Sequence, residues 1–439
     1  MAGDLQAAVA AFEQREPDPG DLLYLLERGH LLRIADRYAE SNEVFESAEL
    51  RIEELYTKSI SREAFALITT DNLLPYRGLP YEVQFVHYYR ALNYLDLGQL
   101  DEALVEARKA NFKLAEYAEK TAEDAEAGDG ALRQDAFLHY FTGLLYQAAG
   151  DGNDALVSYR NAAQLYATYE SEYGQSAPAS LWENFYATAL RLGSSEEVRP
   201  LVDSNPDLPR HAAAAAESNV VLFLESGFAP YRESVDIWLP ILERGRNDRD
   251  DWLYANRYVS TYGHRIYAYR QPSRLSHVLR FAFPRMVEVP PRVMRAEVAI
   301  EAAGDAEAGD GRAPLAVGER AINLATVAQA EFDDHLPRIL VRTLIRAIAK
   351  EATRASLGRE NEALGAIANV LGVVSEQADT RGWILLPGRI DVVQTKLPPG
   401  EQQLHVRFLT GGGAVVREET VSIVVPPRGT VFRAVRCYQ

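Results

Sequence analysis

The chain has 439 residues, 47% of them apolar, enough for about two to four domains around sizeable cores and too apolar for a disordered chain. Acidic residues outnumber basic ones 63 to 46, and the net charge of −17 argues against attraction of the whole surface to DNA, RNA or anionic lipid. A single cysteine, Cys437, excludes an internal disulfide, and no apolar run reaches the roughly 18 residues that a membrane span needs.

Met1 to Leu5 has neither a basic n-region nor an apolar h-region. The expectation is a cytoplasmic protein, or one whose targeting segment is missing from this sequence. Residues 4–16 read as a short amphipathic helix with Leu5, Val9 and Phe12 on one face, ended by the turn at 17–20. Asp21 is the expected N-cap of a helix from Leu22 to Asp36, whose partner runs from about Ala39 to Thr57.

Three segments then share one spacing. Gly29, Leu32, Ser41, Phe45 and Ala48 are matched by Ala91, Tyr94, Ala103, Ala107 and Ala110, and again by Gly143, Tyr146, Ala155, Tyr159 and Ala162. Small residues let two antiparallel helices approach, and bulky ones fill the gap between them. This is the logic of tetratricopeptide helical hairpins, which bury their apolar faces by stacking. Insertions around 57–80 and 117–133 make the repeats uneven. Gly98 and Gly150 sit where helix C-termini need a left-handed residue. A degenerate fourth pair is expected at 181–202, with Pro200, Pro206 and Pro209 closing the helical region.

The pattern changes near 217. Asn219 to Glu225 reads as a buried strand, His277 to Phe283 and Arg292 to Ile300 as further strands, and 323–330, 336–356 and 361–377 as helices. The second of these helices would turn Leu340, Leu344 and Ile348 inward. Beyond 379 the pattern is all-β: 383–386, 390–393, 403–409, 414–425 and 430–435, with a hairpin turn at Gly411 to Gly413. The expected fold is therefore α+β. It has tetratricopeptide-like helical repeats over 1–205, a mixed strand and helix region over 206–378, and a C-terminal sandwich-like β-module over 379–439.

No phosphate loop, dinucleotide fingerprint, nucleophile elbow or paired-histidine zinc motif occurs, so no catalytic residue, metal or cofactor is expected. His87 and His139 fall among aromatics on repeat helices, where packing explains them better than ligation. Four features remain. Tyr76 and Arg77, in the insertion Asp71 to Tyr81, suit an anionic or planar group, against the simpler reading of a rigid linker. Trp252 to Val287 holds six arginines, five tyrosines and no acid. Arg257, Arg265, Arg270 and Arg274 there suit an anionic glycan or nucleic acid, against internal docking on acidic helices. Glu225 to Tyr231 reads as a strand exit turn. Asp379 to Pro387 joins the last helix to the β-module, with Trp383 packed at the junction and Asp379 paired with Arg381.

The runs LLYLLERG, NLLPYRGLPYE, HYYRALNYLDLGQLDEALVEARKAN, ESGFAPYRES and DTRGWILLPGRI, followed by LPPGEQQL, resemble an uncharacterised family of bacterial cell-envelope lipoproteins with tetratricopeptide repeats. The resemblance runs from about 20 to 435. It implies a periplasmic, lipid-anchored protein at the outer membrane, working beside other envelope lipoproteins and with no agreed activity. The lipid-bearing cysteine of such proteins is not in this sequence. The resulting expectation is a non-enzymatic scaffold that binds an envelope protein or peptide in its repeat groove, with no DNA and possible homo-oligomerisation. Tyr76, Arg77, Tyr88, Tyr89, Asn93, Arg108 and Asn111 are the candidate contacts. For those on the second repeat, ordinary helix packing is the competing reading.

Overall fold

The computed structural model describes residues 9–12, 14, 21–57, 75–123, 135–244, 273–300, 315–360 and 378–439. Its first half is helical: α1 (Leu22–Ile34), α2 (Tyr38–Thr57), α3 (Pro80–Asp96), α4 (Leu100–Glu123), α5 (Ala136–Ala149), α6 (Gly152–Tyr173), α7 (Ala179–Arg191), α8 (Ser195–Ser204) and α9 (Leu208–Ala215). From α1 to α8 each helix packs on the next along the chain. The local rules are legible at the ends. The Asp21 carboxylate accepts from Leu23 N at 3.1 Å, and Gly98 and Gly150 adopt φ of 75° and 86° after α3 and α5.

The small-against-bulky spacing is also physical. A Cβ on Gly29 would lie 2.7 Å from the Phe45 ring, and one on Gly143 would lie 2.5 Å from the Tyr159 ring. Only glycine allows α1 against α2 and α5 against α6 at these distances. The helical region runs past its prolines. Pro200 lies inside α8 and Pro209 in the first turn of α9, where a missing N–H costs nothing.

The second half carries β1 (Val220–Ser226), β2 (Tyr231–Arg244), β3 (Ser273–Val287), β4 (Arg295–Ile300), β5 (Ala316–Val317), β6 (Glu319–Asn323), helix α10 (Leu324–Glu360), β7 (Arg389–Thr395), β8 (Gly400–Leu409), β9 (Val415–Val425) and β10 (Val431–Cys437). One sheet has the order β10-β1-β7-β6, with β1 parallel to β10 and antiparallel to β7. A second has the order β5-β4-β8-β9, and β2 with β3 forms a separate long hairpin.

All seven residues of β1 are buried, because it is covered on both faces. Val221 and Phe223 join the helical core, while Val220, Leu222 and Leu224 meet Val406, Phe408 and Ile423 of the second sheet. The layers are therefore helices, first sheet, second sheet. Each large apolar side chain so buried contributes roughly 1.5–3 kcal/mol.

Several expectations change here. The strands beyond 379 do not form a module of their own: β7 and β10 flank β1, and β8 pairs with β4, so the sandwich is built from both sides of the expected boundary. Trp383 to Leu386 is a turn closed by Leu386 N on Trp383 O at 3.4 Å, not a strand. The two helices expected at 323–330 and 336–356 are one, with Pro337 inside it. Leu344 and Ile348 on that helix are exposed, not inward. Tyr231 opens β2, a strand missed entirely. The helix expected at 361–377 lies outside the described residues.

Candidate functional site

Three of the unusual segments, those holding Tyr76, Glu225 and Trp383, meet where α1 and α3 face the end of β1. Glu82, fully buried in the first turn of α3, organises one side. Its Oε2 accepts from Leu79 N at 2.7 Å and from the Tyr76 hydroxyl, and its Oε1 accepts from Trp383 N at 2.8 Å. One carboxylate thus caps a helix and holds two loops. Arg381 lies 5.4 Å from the Tyr76 ring and pairs with Asp379 at 2.8 Å, the local pair the sequence suggested. The Trp383 ring fills the space between His30, Phe45 and Tyr89, with centroids 5.8–5.9 Å away.

Glu225 organises the other side. It accepts from the Tyr89 hydroxyl at 3.3 Å and lies 3.9 Å from Arg436, whose Nη2 donates to Gly227 O at 2.7 Å and Leu385 O at 3.1 Å. Burial pushes the Glu225 carboxyl up, against the pull of Arg436 and Arg33. Burial, then Arg436 and Arg33, push His30 well below its ordinary value, so it stays neutral. Beside them Asp96 binds Arg33 at 2.9 Å and Arg433 at 2.5 Å, and Asn93 accepts from Arg33 at 2.7 Å. Asp96, Arg33 and Arg433 are spent on one another, while Glu225 Oε1 and Arg436 Nε and Nη1 are buried with no hydrogen-bond partner among the described residues. The arrangement fastens the helices to the sheet.

Among the described residues one cluster has the donor types of a metal site: Glu49, His87 and Glu106, between α2, α3 and α4. His87 Nδ1 lies 2.9 Å from Glu106. Both carboxylates are already neutralised by Arg90 and by Lys109, which is 3.2 Å from Glu49 and 3.3 Å from Glu106. A cation would have to displace both, so the set does not fit a metal. His139 is buried and held at about 4, neutral as a core residue. A cleft of about 500 Å³ lies between Gln175 and Ser176 on one side and Glu319, Arg320 and Asn323 on the other.

The expected groove contacts need correction. Tyr76, Tyr88, Tyr89 and Asn93 are buried. Tyr88 packs on Phe137, Phe141 and Phe223, so the chain's own sheet occupies the face on which a partner was expected. Arg77 is half-buried. Arg108 and Asn111 join α4 to α5, through Arg108 Nε on the Tyr146 hydroxyl at 2.7 Å and Asn111 Nδ2 on Thr142 Oγ1 at 3.0 Å. Arg257, Arg265 and Arg270 lie outside the described residues, and Arg274 is in β3 opposite Glu243. The sequence reading missed Glu82 and Arg436. A signal existed for the first, an acid three residues after Leu79 with Pro80 between, which is a helix-start pattern.

No protein-family model matches the chain, and no curated protein matches it. Among solved structures, BtubC (BKLC) from P. vanneervenii is similar at 17% identity with a TM-score of 0.30, over 48% of this chain and 75% of that one. So slight a likeness carries no argument.

Proposed function

We propose that the protein is a non-enzymatic interaction scaffold of the bacterial cell envelope, built on tetratricopeptide-like hairpins, that holds a partner protein on the arm formed by β2, β3 and α10. The envelope setting, periplasmic and lipid-anchored, rests on the sequence resemblance alone. The observation that carries the scaffold reading is the exposure of large apolar side chains on this arm. Ile237 and Trp238 stand on β2, with Trp238 58% exposed; Val341, Leu344, Ile345 and Ile348 form a stripe along α10, which packs on β3. Spacings of three and four residues put that stripe on one helix face. Apolar surface gathered on neighbouring elements marks a protein contact. The helical groove is filled from within, which moves the proposed contact from the groove to the arm.

The test uses the full chain as bait in periplasmic extract, beside a Trp238→Ser/Ile348→Ser variant with unchanged circular dichroism. The expected result is an envelope protein retained by the wild type at moderate salt and lost by the variant. Equal retention by both refutes the arm as the contact. Capture only of glycan or nucleic acid, falling as salt rises, transfers the function to the arginine-rich stretch 252–287.

A further inference from the structure

Two stacked four-stranded sheets have four edges, and three of them are blunted. At β6 the Gln175 side chain stands in for a strand: Nε2 donates to Ala321 O at 2.8 Å and Oε1 accepts from Asn323 N at 2.8 Å. The Tyr166 hydroxyl adds a second donor to Ala321 O at 2.6 Å. At β10, helix α3 lies against the strand and Arg433 is tied to Asp96. The third edge, β5, is two residues long. The fourth is β9, with 11 residues, and among the described residues nothing pairs with its outer side. A long open edge is a template for another strand, and protective charge or proline normally guards it. In β9 the charges Arg417, Glu418 and Glu419 guard only the first half. Thr420 to Val425 has none.

We propose that β9 pairs antiparallel with β9 of a second copy of this chain, joining the two four-stranded sheets across a two-fold axis. This is independent of the partner arm. A two-fold through Ile423 sets Val421 opposite Val425 and Ser422 opposite Val424 of the second copy. Val421, Ile423 and Val425 all face the core between the sheets, so the apolar side continues across the join, while exposed Thr420, Ser422 and Val424 continue the outer face. The same register brings Glu418 and Glu419 toward Arg428 of the second copy. Arg428 is exposed in the turn after β9 and makes no ion pair among the described residues. A register centred on Glu418 would instead oppose like carboxylates. Pro426 and Pro427, which lack N–H donors, end the pairing, so it closes as a dimer. One strand pair buries little surface, and the dimer is weak and reversible.

The experiment is sedimentation equilibrium of the full chain from micromolar to near-millimolar concentration. The wild type is expected to pass from monomer to dimer. Ser422→Lys/Val424→Lys alters only exposed side chains and opposes lysines twice across the axis. It should weaken association roughly tenfold or more. Arg428→Glu should weaken it less, and Glu418→Arg/Glu419→Arg/Arg428→Glu should restore it, which a merely structural role for these residues would not do. A wild type that stays monomeric, a dimer indifferent to the lysines, or association that continues past the dimer each overturns the proposal.

Discussion

Asp135 offers the sharpest test of the helical packing. It caps α5, accepting from Leu138 N at 2.9 Å and from the Tyr169 hydroxyl at 2.9 Å, and it is buried. Burial outweighs the lowering pull of Leu138 N, the Tyr169 hydroxyl and Phe137 N, and raises the carboxyl from 3.8 to about 6. The native state therefore keeps this proton up to about pH 6, while the unfolded chain releases it near 3.8. Between those values the native state binds more protons, so this group's contribution to stability falls as pH rises through the window and is flat above it. A rise of roughly two units corresponds to ~3 kcal/mol of charge-burial cost at neutral pH. Asp135→Asn removes the charge and keeps a side-chain oxygen to cap Leu138 N; the Tyr169 hydroxyl turns to accept from the amide. The variant is expected to match the wild type, or fall slightly below it, near about pH 4, and to exceed it by up to ~3 kcal/mol near about pH 7. Urea unfolding of both proteins across that range measures the difference and cancels titrations that they share. A difference that stays flat with pH, or that grows in favour of the wild type, refutes the burial argument.

Two further changes probe the packing. Gly143→Ala places a methyl 2.5 Å from the Tyr159 ring, which is itself buried and fixed by its hydroxyl on Gln147 at 2.8 Å. The clash should outweigh the helix propensity gained and cost about 1–3 kcal/mol, read as a lower Tm. An unchanged or raised Tm contradicts the close approach of α5 and α6. Trp383→Ala empties the space between His30, Phe45 and Tyr89 and should cost about 3–5 kcal/mol in urea unfolding. An unchanged midpoint is incompatible with a ring that fills the junction.

What could be read in advance follows from the range of each physical rule. Helix ends are local events, so Asp21, Gly98 and Gly150 announced them from a few residues of context. The order of the sheets is not local. Val220 to Ser226 pairs with Arg389 to Thr395 and with Val431 to Cys437, and no periodicity within any of these runs names its partner. The misplaced groove has the same origin. In a surface helix, polar and aromatic residues such as Tyr88, Tyr89 and Asn93 would mark the wet side. Every residue of α3 from Pro80 to Asn93 is buried, so that helix has no wet side along this stretch. Polarity then marks internal bonding. The Tyr89 hydroxyl meets Glu225, and Asn93 donates to Ser41 at 2.9 Å and Asn42 at 2.9 Å. A buried polar side chain must find a partner inside, at a cost of about 1–3 kcal/mol if it fails. Tyr89 and Asn93 looked available for a partner and are engaged inside the chain, whereas the surface proposed above as the contact is apolar, where hydropathy alone would place a core.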